Sequence, residues 1–334
     1  MKVVNLLLFV SIFFTACSQK NENEVIVYTT VDEVFSQPIL KDFEKQSGIK
    51  VKAIYDTEET KSTGVLNRLL AESNNPQCDL FWSGDPARAM ILKNKSLTKS
   101  YNPPIASDIK DEFKDKEFNW IGFSARARVL LYNKKLIKKE DLPISIFDFK
   151  DEKYKGKFAI ANPLFGTTSF HVASWFSTLG DKKAKKLLES FKNNDIIISS
   201  SNGDIKKKVL GGDIWFGLTD TDDAFTAMQE SDDVDIIFLD QKGVGNLIIP
   251  NTLSLIKNSP NQENAKKLFN YLLSKETEKK LAISCAQMPL HKNIKTPVSI
   301  PSLDSVVSMK IDYVKSAKKL QEIQPFLKTW VEDK

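Results

Sequence analysis

Residues 25–54 read VIVYTTVDEVFSQPILKDFEKQSGIKVKAI and contain the patterns of a strand, a helix and a second strand. The first four residues are apolar β-formers, and residues 49–54 alternate apolar and polar side chains, which is typical of strands. Between them, residues 34–46 carry apolar side chains at helical spacing, and Gly48 ends the helix. A strand–helix–strand unit of this kind predicts parallel strands covered by helices.

The same alternation continues through the rest of the chain. Further strands are predicted at 79–82, 120–133, 158–161, 196–199, 214–218, 236–239 and 246–256. Further helices are predicted at 64–73, 86–93, 170–179, 182–191, 203–210, 223–229, 262–273 and 276–284, with one more amphipathic segment at 303–320. The fold class is therefore α/β, and 334 residues are too many for one comfortable core, so we predict two lobes.

The composition excludes several classes of protein. Lys and Arg number 48 and Asp and Glu 43, a net charge of +5 that is too mild to indicate a nucleic-acid partner. Only 2 His and 3 Cys are present, which excludes a multi-His zinc site and a cysteine-rich cluster. The sequence has no Gly-x-Ser-x-Gly, His-Glu-x-x-His or Walker motif, so an extracytoplasmic enzyme is only a remote alternative.

The first residues have the pattern of a targeting signal. Lys2 precedes an apolar run that extends from Leu6 to Phe14 and is followed by Thr15-Ala16-Cys17. This run is too short to span a membrane, and its end resembles a bacterial lipoprotein signal, which implies cleavage after residue 16 and lipid on Cys17. The alternative is a plain secretory signal. Residues 17–24 are polar and are interpreted as a tether, and the acyl chains would hold the protein on a membrane surface without spanning it.

The two remaining cysteines leave two alternatives open. In an oxidising compartment Cys78 and Cys285 could form a disulfide. They could equally be two buried free thiols, since a sequence does not give the separation between two Cα atoms.

Five short phrases occur along the chain in a characteristic order. They are 43–51 (FEKQSGIKV), 79–83 (DLFWS), 123–129 (FSARARV), 162–168 (NPLFGTT) and 212–224 (GDIWFGLTDTDDA). Together they resemble the type II periplasmic binding proteins of ABC importers, in the branch of ferric-ion, thiamine and phosphonate binders. The resemblance covers nearly the whole chain after the signal.

The resemblance implies two α/β lobes with mostly parallel sheets, joined by two crossover hinge strands. The crossovers would be about 121–132 and 246–256. Lobe 1 would be discontinuous, with residues 25–119 and 248–334, and lobe 2 would be 120–247. The ligand would lie in the cleft between the lobes, at the carboxyl ends of strands and the amino ends of helices, and the lobes would close around it.

Several polar residues fall at such strand and helix ends. The candidate ligand-binding residues are Tyr28, Thr30, Asp32, Ser83, Asp85, Arg126, Gly166, Thr167, Thr168, His171, Asn202, Asp220, Asp222 and Asp223. Gly166-Thr167-Thr168 precedes a predicted helix and suits an anion, and Arg126 and Arg128 share one face of a strand. The alternatives are ordinary helix caps, notably at Asp32 and Asp85, and surface ion pairs for the arginines.

The ligand is less well determined than the fold. Ferric iron with a synergistic anion is implied by the resemblance, with Asp32, Asp222 and Asp223 as candidate metal ligands. The adjacent tyrosines by which ferric-binding relatives hold iron are replaced by Asp222 and Asp223. A small organic phosphate or phosphonate, thiamine or a polyamine is therefore the alternative, and Trp82 would either stack on a cation or pack in the core.

These observations predict the solute-binding component of an ABC importer. We expect it in the cell envelope, in the periplasm or on the outer face of the cytoplasmic membrane, anchored by lipid on Cys17. Its partners would be a small ligand or metal ion and an ABC permease. We expect a monomer that requires no cofactor and binds no nucleic acid.

Overall fold

The computed structural model describes residues 23–56, 63–297 and 302–333. The predicted signal peptide, the lipidation site Cys17 and most of the tether lie outside these residues. The strands and helices are numbered below in chain order.

Ten strands form a single sheet in the described part of the chain. They are β1 Glu24–Thr29, β2 Lys50–Tyr55, β3 Leu80–Ser83, β4 Thr98–Lys99, β5 Ile121–Asn133, β6 Phe158–Ala161, β7 Ile197–Ser199, β8 Phe216–Asp220, β9 Val234–Ile237 and β10 Ile248–Ile256. Their order is β2-β1-β3-β10-β5-β8-β6-β7, with β4 beside β10 and β9 beside β5.

Eleven α-helices occur in the same residues. They are α1 Glu33–Ser47, α2 Gly64–Ala71, α3 Pro86–Asn94, α4 Gly166–Leu179, α5 Asp181–Asn193, α6 Asn202–Gly211, α7 Thr221–Glu230, α8 Gln262–Leu272, α9 Lys275–Cys285, α10 Tyr313–Glu322 and α11 Gln324–Glu332. Gly48 ends α1 in the left-handed conformation, as predicted. The segment predicted at 303–320 contains a short 3-10 turn and most of α10, and α11 was not predicted.

The sheet has two parallel groups separated by antiparallel strands. β1 pairs in parallel with β2 and β3, and β6 pairs in parallel with β7 and β8. Every antiparallel pair of strands contains β5 or β10. The sheet is therefore mixed, and its parallel character is confined to the two groups.

The long strand β5 connects the two groups. Its first part, up to Ala127, pairs with β10, and from Arg128 onward it pairs with β8 and β9. β5 and β10 occupy the segments predicted to be crossover strands. The lobe limits at 25–119, 120–247 and 248–334 remain a prediction.

One continuous apolar core runs beneath most of the sheet, and Trp82 belongs to it. The Trp82 ring packs against Phe123, with ring centroids 5.6 Å apart, so it is a core residue and does not stack on a ligand. A smaller cluster on the outer side of β1 contains Tyr28 and Cys78. Cys78 and Cys285 are both buried free thiols in different clusters, which excludes the disulfide alternative in this structure.

Helix α10, near the C-terminus, contacts both halves of the molecule, that is, the parts that contain the first and the second parallel group of strands. It packs against α3 and against α4. On the α4 side, the Ser316 and Ser177 hydroxyl oxygens are 2.6 Å apart, and Lys319 forms an ion pair with Asp181 at 2.9 Å. None of the helices in the described residues combines the length and apolar character needed to cross a bilayer.

Candidate functional site

A polar cavity lies where the two parallel groups of strands face each other. It holds about 520 Å³ of empty space, counting the part open to solvent. It is lined by Thr30, Asp32, Gly84, Arg126, Ala161, Asn162, Phe165, Gly166, Thr167, Thr168, Ser200, Ser201, Asn202, Asp220 and Asp223. Nine of the fourteen predicted site residues are in this lining.

Four helices begin at the cavity. The lining includes Asp32 directly before α1, the first three residues of α4, the first residue of α6, and Asp220 and Asp223 at the start of α7. The free backbone N–H groups and the positive dipole end of each helix favour negative charge there. Gly166 begins α4 four residues earlier than predicted, so Thr167 and Thr168 lie in its first turn.

Arg126 brings a buried positive charge to the cavity. Its side chain extends from β5 and is 7% exposed, and its guanidinium donates to the carbonyl oxygen of Gly84 and, at 3.3 Å, to Asp220. Asp222 is 3.7 Å away. Burial alone lowers the pKa of Arg126, but the neighbouring carboxylates outweigh it and raise the pKa, so the group stays charged. Its Nε has no hydrogen-bond partner among the described residues.

Gly84 lies where the Arg126 guanidinium approaches the backbone closely. A Cβ at this position would lie 2.9 Å from Nη2 of Arg126 and 3.4 Å from the Thr30 hydroxyl oxygen. The backbone N–H of Gly84 also donates to that hydroxyl oxygen at 2.8 Å. This glycine therefore leaves room for Arg126 beside the β3–α3 turn, a close approach that no sequence pattern indicates.

Asp220 is held entirely by protein groups. Its Oδ1 accepts from Arg128 at 2.6 Å, and its Oδ2 accepts from Thr167 at 2.7 Å and Asn202 at 3.1 Å. Burial alone raises the pKa of Asp220, but Arg128 and Arg126 outweigh it and the pKa is lowered. Asp220 is therefore ionised and already neutralised.

Asp222 and Asp223 are the other two carboxylates at the start of α7. Together with Asp220 they place carboxylate oxygens within 4.8 Å of one another. Asp223 is half-buried and lines the cavity, while Asp222 lies behind the lining and is 3% exposed. Burial raises the pKa of Asp222 to about 6; Arg126 opposes this, and Asp220 and Asp32 add to it. Asp222 thus exchanges a proton near neutral pH.

Three predicted contacts lie away from the cavity because of side-chain direction or capping. Tyr28 points to the outer side of β1, where its hydroxyl donates to Glu72 at 2.8 Å. Asp85 caps α3, accepting from the backbone N–H of Ala87 at 2.8 Å, and pairs with Arg88 at 2.8 Å. The Ser83 hydroxyl oxygen accepts from the backbone N–H of Asp85 at 3.3 Å. The capping alternative for Asp85 is therefore the one that the structure shows.

His171 also lies below the cavity and not in its lining. Because α4 begins early, His171 is in its second turn, 4% exposed, with its ring 4.5 Å from that of Trp175. Its Nδ1 accepts from Nε of Arg128 at 3.3 Å. Burial and the charge of Arg128 hold the pKa of His171 well below its usual value, so the ring is neutral.

The lining also contains residues that were not predicted as site residues. Asn162, Ser200 and Ser201 supply polar groups, and Ala161 and Phe165 supply apolar surface. Asn162 lies in a quoted phrase, and the serines form a hydroxyl run before α6, so both carried a usable signal. Ser201 caps α6 by accepting from the backbone N–H of Asp204 at 3.1 Å.

Known proteins resemble this chain over most of its length. It is 26% identical over 288 residues to iron uptake protein A1 of Synechocystis sp., covering 80% of this chain and 76% of that protein. It is 29% identical over 261 residues to a putative 2-aminoethylphosphonate-binding periplasmic protein of Salmonella typhi, covering 75% and 73%. The crystal structure of apo ferric ion-binding protein A from Pasteurella haemolytica has the same fold, with a TM-score of 0.83 at 23% identity, covering 93% and 99%.

The family model for bacterial extracellular solute-binding proteins matches residues 39–303. This match includes both crossover strands and every cavity-lining residue except Thr30 and Asp32. Proteins of this family bind small ligands, work with ABC permeases and are not enzymes. The chain belongs to the bacterial extracellular solute-binding proteins.

Proposed function

We propose that this protein is the solute-binding component of an ABC importer and that it carries ferric iron together with a small anion. The observation that carries the proposal is a cavity that combines two kinds of chemical group. Asp32 and Asp223 supply carboxylate oxygens. Arg126 and the amino ends of α4 and α6 supply hydrogen-bond donors and positive charge.

The carboxylates suit a hard cation. Asp223 and Asp32 line the cavity, and a carboxylate oxygen of Asp222, which is outside the lining, lies within 4.8 Å of one of Asp223. Hard cations prefer oxygen ligands, and a trivalent ion would displace the proton that the raised pKa keeps on part of Asp222. Asp220 is not proposed as a ligand, because both of its oxygens accept protein hydrogen bonds. The similarity to an iron uptake protein supports this ligand.

The hydrogen-bond donors suit an anion that completes the coordination of the metal. Thr167, Thr168 and Asn202 lie at helix amino ends and line the same cavity as Arg126. Carbonate, phosphate or an organic acid would fit these donors.

An aminoalkylphosphonate or another organic phosphate is the second candidate ligand. It is favoured by the helix amino ends with Arg126, and by the relative named as a 2-aminoethylphosphonate-binding protein. The phosphonate would bind Arg126 and the helix amino ends, and its ammonium group would bind Asp32 and Asp223. Thiamine or a polyamine would use only the carboxylates, and is the weaker alternative because it leaves the amino ends of α4 and α6 without an anionic group to bind.

The test is a binding panel on the purified protein. Melting temperature and calorimetry would be measured with ferric citrate, inorganic phosphate, 2-aminoethylphosphonate, thiamine and a polyamine. We expect one equivalent of iron, lost in Asp223→Ala and Asp222→Ala and retained in the exposed control Asp232→Ala. A response to the phosphonate with none to iron would refute ferric iron as the ligand and support the organic phosphonate. No response to any of the compounds would contradict both.

We further propose that lipid on Cys17 holds the protein as a monomer at the outer face of the cytoplasmic membrane or in the periplasm. The support is the sequence of the first 17 residues. Expression of the full chain should place it in the membrane fraction, and Cys17→Ser should release it. Equal distribution of the two forms would contradict the anchor.

A further inference from the structure

Arg128 lies at the junction between the two parts of β5. Its neighbour Ala127 is the last residue that pairs with β10, and Arg128 is the first that pairs with β8. Its backbone N–H donates to the carbonyl oxygen of Leu247 at 3.0 Å, and its carbonyl oxygen accepts from the side-chain amide of Asn246. The two chain segments that connect the halves of the molecule, β5 and the residues that lead into β10, therefore meet at Arg128.

The Arg128 side chain reaches from this junction to the underside of the cavity. It is 1% exposed and is not part of the lining. Its Nη1 donates to Asp220 at 2.6 Å and to Thr167 and Asn202 at 3.2 Å each. Its Nη2 donates to Thr168 at 3.3 Å. Four cavity-lining side chains are thus held by one guanidinium.

The remaining donors of Arg128 are also engaged. Nη2 donates to the carbonyl oxygen of Leu218 at 3.1 Å, and Nε donates to Nδ1 of His171 at 3.3 Å. A guanidinium has five N–H hydrogens in a rigid fork, and every nitrogen here has a protein acceptor. Arg128 therefore has no hydrogen directed at a ligand, and unlike Arg126 it does not line the cavity.

The four held side chains also bind one another. Thr167 donates to Asp220 at 2.7 Å, and the Asn202 amide nitrogen donates to Thr167 at 3.0 Å and Asp220 at 3.1 Å. Because the Asn202 oxygen accepts from Arg128, the amide has only one orientation that satisfies the network. The guanidinium thus determines which polar atoms these four side chains present to the cavity.

We infer that Arg128 is the positioning residue of the ligand site, orienting Thr167, Thr168, Asn202 and Asp220 from the hinge without contacting the ligand. The inference rests on the proposed solute-binding site and adds a link between the hinge and the cavity floor. Lysine cannot replace Arg128, because an ammonium is a single point that cannot reach four acceptors in a plane.

The first arm of the test needs no ligand. NMR spectra of the full-length Arg128→Lys protein would be compared with wild type at the Asn202 side-chain amide and the His171 ring. We expect both sets of signals to shift, since Asn202 loses its orienting donor and His171 loses the donor on Nδ1. The matched control is Arg88→Lys, a second buried arginine, which is 3% exposed. Its partners, Asp85 at 2.8 Å and Ser169 at 3.0 Å, do not line the cavity. It should leave both sets of signals unchanged.

The second arm measures binding of ferric citrate and inorganic phosphate by calorimetry. Arg128→Lys should lower the affinity for whichever probe the wild type binds by about tenfold or more, as expected for misplaced hydrogen-bond partners. Arg88→Lys should lower the melting temperature by about as much as Arg128→Lys does, but it should change the affinity by less than about twofold. A purely structural role for Arg128 predicts that the two variants behave alike.

The outcomes separate this inference from the proposed ligand. The positioning role would be overturned if the Asn202 and His171 signals are unchanged in Arg128→Lys. It would also be overturned if the wild type binds a probe and Arg128→Lys binds that probe with the same affinity. If the wild type binds neither probe, the proposed iron and anion ligands fail, and the NMR arm alone decides the role of Arg128.

Discussion

Replacing Glu278 with glutamine should destabilise the protein at the hinge. Glu278 of α9 is fully buried, and its carboxylate accepts from the backbone N–H of Ser124 in β5 at 2.6 Å. It also accepts from the backbone N–H groups of Leu290 at 2.9 Å and His291 at 3.0 Å. Ser124 has a left-handed backbone with a φ of 42°, so this carboxylate stabilises a strained residue of the crossover strand.

The same carboxylate forms a buried ion pair. Nδ1 of His291 lies 2.9 Å from Glu278, and Nε2 lies 2.9 Å from the carbonyl oxygen of Ile105. Asp108 is 3.4 Å from Nε2 and is itself paired with Lys275 at 2.8 Å. Both ring nitrogens therefore face acceptors, which requires a hydrogen on each and a positive ring. Glu278→Gln leaves this charge without its nearest partner.

The magnitude follows from that loss. Removing one partner of a buried ion pair costs roughly 3–5 kcal/mol, and glutamine keeps one carbonyl oxygen, so we take about 3 kcal/mol. With an unfolding entropy of about 2.1 cal/mol/K per residue, a chain of roughly 300 residues loses about 1.6 °C per kcal/mol. The melting temperature should therefore fall by about 5 °C.

The assay is calorimetric melting at pH 6 beside a matched control. Glu276→Gln changes the same residue type on the same helix at an exposed position, and should melt within about 1 °C of wild type. If Glu278→Gln also melts within about 1 °C of wild type, the carboxylate does not support the hinge and the argument fails.

Three further predictions concern other parts of the molecule. Burial alone lowers the pKa of His291, but Glu278 outweighs it and raises the pKa above its usual 6.5. The stability that the charged His291 ring contributes is therefore complete below pH 6.5, and it is lost as the pH rises through the pKa of His291 in the folded protein. Denaturant titrations should show wild type losing stability over that range relative to His291→Asn; parallel curves would contradict this. Cys78 and Cys285 should resist a thiol reagent until the protein unfolds, and a reductant should leave the melting temperature unchanged; reaction of the folded protein would refute their burial. Gly245→Ala should lower the free energy of unfolding, measured by denaturant titration, by at least about 2 kcal/mol. The reason is that φ of Gly245 is 84° and the new Cβ would lie 2.6 Å from the backbone of residues 308–309. An unchanged free energy of unfolding would exclude that clash.

The fold was largely predictable because its signals are local. The strand at 158–161 and the crossover strand ending at Asn133 coincide with apolar runs, and their bounds agree with the structure within one residue. The beginning of α4 was misplaced because Gly166 to Ser169 are polar or small, and apolar periodicity starts only at Phe170. That error placed His171 in the first turn of α4, at the anion site.

The candidate site was only partly predictable because side-chain direction depends on the whole sheet. Tyr28 precedes the cavity residue Thr30 by two positions, yet its ring is buried in the outer cluster. The two arginines of β5 share a face, as alternation predicts, and both contact Asp220, but Arg126 lines the cavity and Arg128 does not. No pattern within one segment carries that difference.

The chain crosses between the two halves twice, along β5 and again before β10. The packing of α10 against both α3 and α4 adds a third, non-covalent connection. Any change in the angle between the halves must make α10 slip on at least one of these helices, at the Ser177–Ser316 contact or on the α3 side. The free energy needed to displace α10 reduces the favourable free energy of ligand binding. Substitutions on this rear surface, far from the cavity, therefore become a means of tuning how tightly the protein holds its cargo.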